Sequence, residues 1–101
     1  LTGKYRRDAP LPEGTRLKNT KMFAERFISE HNWERVARLE AFCAQRGRSM
    51  LELAMSWLAV RRAVASIIAG ATRPEQVAQN AAAVSWEIGE AELGELDRLL
   101  A

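Results

Sequence analysis

Residues Ala65–Asn80 read ASIIAGATRPEQVAQN. A short apolar run, Ala65-Ser66-Ile67-Ile68, meets a glycine at Gly70, and Thr72-Arg73-Pro74-Glu75 then opens a helical pattern. That order predicts strand, tight turn, helix. Thr72 followed three residues later by Glu75 has the spacing of a capping box, and Pro74 falls in the first turn, where its missing N–H costs no helical bond. Backbone donors left free by such a turn attract an anion, and Arg73 beside them carries a fork suited to phosphate. On the residues alone, the plainer reading of a solvated arginine among surface amides stays open.

The rest of the chain sets bounds on this site. With 101 residues there is room for one small domain and one modest core. The composition, 48% hydrophobic and 28% charged, excludes a disordered tail or a collagen-like chain. A formal charge of +2 with acidic residues interleaved gives no basic tract, which argues against nucleic-acid binding. Cys43 is alone, so no internal disulfide forms, and a reducing, cytoplasmic setting is expected. No apolar run reaches the length of a membrane span. One histidine and one cysteine cannot supply the three or four ligands of a zinc site.

Taken in order, Leu1–Tyr5 is too short for periodicity. It lacks an initiator methionine and reads like the middle of an element, so polypeptide upstream of Leu1 is expected. Residues 6–20 carry Pro10, Pro12 and Gly14 and predict an extended loop edged by Arg6, Arg7, Arg16 and Lys18. A short amphipathic segment covers 21–30. Asn32 is placed to cap a helix over Trp33–Arg46 whose stripe is Val36, Leu39, Phe42 and Cys43, with Gly47 as its stop. Ser49 and Glu52 form a capping box for a helix to about Val60, with Leu51, Ala54, Met55 and Leu58 as its stripe. Residues 64–68 are the one clear strand candidate. The helix over 73–83 has Val77, Ala81 and Val84 on its apolar side. A last helix over 90–100 buries Leu93, Leu96, Leu99 and Leu100. A lone strand among helices leaves its backbone groups without neighbours, so the pattern predicts part of a larger α/β fold.

These residues resemble the aldo-keto reductases, in the branch of the bacterial general-stress reductases and potassium-channel β subunits. The resemblance spans Leu1 to Leu100 and rests on LTGKY at 1–5, on SMLELAMSWL at 49–58 and on GATRPEQVAQN at 70–80. It implies that the chain is the C-terminal portion of a (β/α)8 TIM barrel. Residues 1–20 would be the cofactor loop, 32–60 the outer helices, 64–68 strand eight, 73–83 the adenine-binding helix and 90–100 the C-terminal helix. The cofactor implied is NADPH. Gly3 and Lys4 would lie along its pyrophosphate and Arg16 would reach toward it. Gly70, Thr72 and Arg73 would face the ribose phosphate, and Gln76, Gln79 and Asn80 the adenine. The last three fall at i, i+3 and i+4, one helix face, as contact with one flat base requires. Where the branch commonly has a glutamate, this chain has Gln79.

The same resemblance puts the family's catalytic tyrosine, lysine, aspartate and histidine upstream of Leu1, so no residue of this chain is assigned a catalytic role. Lys4 and Tyr5 belong to the cofactor loop, and His31 reads as a surface residue. The expected function is therefore the cofactor-binding part of an oxidoreductase that reduces aldehydes or ketones with NADPH, inactive as this chain alone. The expected partner is the rest of the barrel or a second copy of the chain. Two other functions fit less of the sequence: a non-catalytic, self-associating helical module, and a small nucleic-acid binder using the arginines of residues 6–18.

Overall fold

The computed structural model describes residues 4–101. Among them run α1 (Arg16–Asn19), α2 (Lys21–Phe27), α3 (Glu30–Gln45), α4 (Met50–Ala59), α5 (Pro74–Ala82), a 3-10 turn (Ala83–Ser85) and α6 (Glu90–Leu100). Each main helix begins where a side chain satisfies a free amide. Ser29 Oγ accepts from the Asn32 amide at 3.2 Å and starts α3, so the cap lies three residues before the expected Asn32. Asn32 instead donates through Nδ2 to the carbonyl of Phe27, 2.8 Å away, tying α3 to the end of α2. The capping box of α4 forms as expected. Glu52 Oε2 accepts from the Ser49 amide at 2.8 Å, and the Glu52 amide donates to Ser49 Oγ at 3.1 Å. These bonds, with Arg48 beside them, hold the Glu52 carboxyl below its usual range. α6 uses half of the device, with the Gly89 amide donating to Glu92 Oε2 at 3.1 Å.

Gly47 ends α3 as the spacing predicts. Its φ of 63° lies in the left-handed region, and the amides of Gly47 and Arg48 reach back to Ala44 and Cys43 at 3.2 and 3.0 Å. Residues 16–19, expected as extended loop, turn helical instead. Thr15 is buried there, and its hydroxyl donates to the Pro12 carbonyl at 2.6 Å.

The strand expected at 64–68 is not formed. Residues 66–71 carry no secondary structure, no strand occurs among the described residues, and Ile68 is 99% exposed. The reason is non-local. A strand is stabilised by ladder bonds to neighbouring strands, and none of the described residues supplies one.

The core forms where α3, α4, α6 and the 86–88 link meet. Leu39, Phe42, Cys43, Leu53, Trp86, Ile88 and Leu96 are buried, with Met50, Trp57, Val60 and Leu93 against them. Trp86 and Ile88, at alternate positions, both point inward, and Phe42 stacks on Trp86 with ring centroids 6.0 Å apart. Burial of α4 departs from the expected stripe. Leu53 and Ser56 are the buried positions, while Leu51, Ala54, Met55 and Leu58 are half-buried. That helix, MLELAMSWLA, is apolar on nearly every side, so periodicity alone cannot choose its inner face. The stripe expected for the helix over 73–83 is exposed, Val77 on α5 by 59% and Val84 in the 3-10 turn by 47%.

Arginines of α3 and its C-cap residue Arg46 fasten α6. Arg46 donates to Glu92 at 3.1 Å and Glu95 at 2.7 Å, and its guanidinium lies 3.6 Å from the centre of the Phe42 ring. Arg35 and Arg38 donate to the carbonyls of Leu100 and Leu99 at 3.1 and 3.3 Å, completing acceptors the helix end leaves free. The Cα radius of gyration is 14.4 Å, larger than the roughly 13 Å of a closed domain this size.

Candidate functional site

Pro74 stands at the first position of α5, and Arg73, not Thr72, occupies the cap position with extended backbone. The residue three places on from Arg73 is Gln76, so Gln76 and not Glu75 reaches back. Its Oε1 accepts from the Thr72 amide at 2.7 Å, the Thr72 hydroxyl at 3.1 Å and the Arg73 amide at 3.3 Å. Asn80, one turn further, donates through Nδ2 to the Gly70 carbonyl at 3.3 Å. Two of the three amides expected to read a base are thus turned onto the 70–73 loop, and the amides of Thr72 and Arg73 are taken. The Arg73 guanidinium is exposed and forms no hydrogen bond or ion pair among the described residues.

This loop borders an open groove of about 1130 Å³. Lys4, Arg16, Gly70, Thr72 and Gln76 all line it, so five of the nine expected site residues share one concavity. Lys4 and Arg16 are exposed on its wall with no carboxylate partner among the described residues. Gln79 does not join them. It lines a separate shallow depression of about 240 Å³ with Ser49, Leu51 and Glu52. Arg73 and Asn80 border neither hollow directly. Gly3 lies outside the described residues. At Gly70 an added Cβ would meet nothing within 4 Å, so the space beside this backbone is open.

Most of the groove is apolar, walled by Phe23, Val36, Leu39, Leu53, Trp57 and Leu58 among others. Two donors near it lack partners, Trp57 Nε1 and Arg35 Nε, and both are buried. Tyr5 also lines it, its hydroxyl accepting from the Leu17 amide at 3.3 Å. No periodicity signals these roles, because each depends on residues brought together by folding. Cys43 is buried beside Met50, Sγ to Sδ 3.9 Å, and burial pushes its thiol above the usual range. It is a core residue. Among the described residues no group of three His, Cys, Asp or Glu side chains could hold a metal, and no helix is long and apolar enough to cross a membrane.

The chain belongs to the aldo/keto reductase family, whose family model matches residues 1–101. Among curated proteins it is similar to the L-glyceraldehyde 3-phosphate reductase of Escherichia coli K12, 31% identical over 104 residues that cover all of this chain and 30% of that protein. The reductase of Escherichia coli O157:H7 gives the same identity over 106 residues. A probable voltage-gated potassium channel subunit beta of Arabidopsis thaliana is 36% identical over 86 residues, covering 83% of this chain and 26% of that protein. The chain therefore spans about 30% of the length of the reductases it matches. No solved structure matches it significantly.

Proposed function

We propose that this chain is the C-terminal, cofactor-binding portion of an aldo-keto reductase barrel, holding the adenosine-phosphate side of NADPH in a cytoplasmic oxidoreductase acting on aldehydes or ketones. The observation that carries the reading is the convergence of Lys4, Arg16, Gly70, Thr72 and Gln76 on one groove, with the unpaired Arg73 beside it. The donor set fits the cofactor. Three cations free of carboxylates and a threonine hydroxyl suit a 2′-phosphate, which carries nearly two negative charges. When bound, NADPH supplies the hydride. In this chain Arg73 would take the 2′-phosphate, and Lys4 and Arg16 the pyrophosphate side. The catalytic groups would come from the upstream part of the barrel, and residues 64–68 would become a strand only against its sheet. The chain alone would bind nucleotide without turnover.

Titration of the chain with 2′,5′-ADP and with 5′-ADP tests this. The 2′-phosphorylated ligand should bind more tightly. Arg73→Ala should weaken it by about 10- to 100-fold, the worth of a charged hydrogen bond, and move 5′-ADP little. Equal affinities for the two ligands in the unaltered chain would overturn the reading. The apolar groove wall also favours a second reading, a self-associating helical module. A stable dimer in sedimentation that ignores both nucleotides would select it.

A further inference from the structure

The loop between Tyr5 and Leu17 is closed at its foot by one hydrogen bond joining residues twelve apart. The half-buried Tyr5 hydroxyl accepts from the Leu17 amide at 3.3 Å. That amide belongs to the first turn of α1, whose donors have no partner within the helix. Thr15, the cap residue, does not serve it. Its hydroxyl donates to the Pro12 carbonyl at 2.6 Å, and the start of α1 has no side-chain cap bond of its own. Gly14 makes the turn between Pro12 and Thr15, with a φ of 71°. A side chain from the far end of the loop thus supplies the acceptor.

Each end of this bond has a cation beside it in the chain. Lys4 precedes Tyr5, Arg16 precedes Leu17, and all four residues line the groove. Like charges repel, so an unfastened loop would spread the two cations apart. We infer that Tyr5 is a positioning residue, whose hydroxyl staples the loop shut so that Lys4 and Arg16 meet a dinucleotide pyrophosphate as a preset pair. This role rests on the groove being the cofactor site. Its physical basis is entropic. A ligand that needs both cations must bear the cost of closing an open loop, whereas a loop closed beforehand leaves that cost to folding. The 2′-phosphate, which falls to Arg73, does not need the pair.

Tyr5→Phe keeps the ring and removes the acceptor. Titrated with NADP⁺, this variant should bind about 3- to 10-fold more weakly than the unaltered chain, the worth of one hydrogen bond. With 2′-AMP, which carries the 2′-phosphate and no pyrophosphate, its affinity should match that of the unaltered chain. Arg16→Gln removes one cation of the pair and should itself weaken NADP⁺. In that background Tyr5→Phe should cost less than about 2-fold, because the staple no longer has a pair to hold. An equal loss for NADP⁺ and 2′-AMP would make Tyr5 a general prop of the fold and overturn the proposal. So would a loss for NADP⁺ that is the same with and without Arg16, or no loss at all, and the cofactor reading would stand in either case. Failure of the unaltered chain to bind NADP⁺ would overturn both.

Discussion

Phe42→Ala should destabilise the chain by about 3–5 kcal/mol, seen as a lower urea midpoint at nearly constant slope. Phe42 is 2% exposed, stacks on Trp86 and lies beneath the Arg46 guanidinium. Its removal leaves a cavity and strips the apolar plate on which a cation rests. That cation is bonded to both Glu92 and Glu95 of α6. Domains of this size hold about 5–15 kcal/mol in total, so the loss is a large fraction of the stability. Phe27→Ala supplies the contrast. That ring is 51% exposed, and its loss should cost under about 1 kcal/mol. Similar effects at the two positions would mean that the core is not where Phe42 places it.

Ser56→Ala should cost about 2–4 kcal/mol, an effect out of proportion to one lost oxygen. Ser56 is fully buried. Its hydroxyl donates to the Ala83 carbonyl at 2.9 Å and accepts from the Trp86 amide at 3.2 Å. Alanine leaves both backbone groups buried without a partner, each worth about 1–3 kcal/mol. Ser66→Ala, at an exposed position, should change the urea midpoint little. Because Ala83 follows α5 directly, the Ser56 bond also fixes where α5 ends. The variant should therefore weaken nucleotide binding as well, although Ser56 touches none of the candidate site.

Local signals were legible and partnered ones were not. The Ser49–Glu52 box and the limits of α6 depend on side chains three residues apart, and the structure follows them. The α3 cap shifts because Ser29 offers a cap before Asn32 can, freeing Asn32 to bond Phe27. At α5, moving the cap from Thr72 to Arg73 transfers the reciprocal partner from Glu75 to Gln76. A shift of one residue thus converted an expected base-reading amide into a loop-holding one. The strand at 64–68 and the burial of Val77 and Val84 were expected from pattern, yet both need surfaces that the described residues do not provide. Ser56 gave no signal, since a serine within an apolar helix looks the same whether it bridges two backbone groups or faces water.

The clasp between α3 and α6 has a mechanical consequence. Arg35, Arg38 and Arg46 join groups 46 to 65 residues apart in sequence, and Ser56 bridges to Ala83 and Trp86 across 27 and 30. The exposed stretch at 65–70 carries none of these ties except Gly70's bond to Asn80. A protease that nicks the chain beside Ile68 would cut the covalent path without cutting the structural one. The two pieces should travel together on a native column and part only in denaturant, a split molecule that behaves as one body.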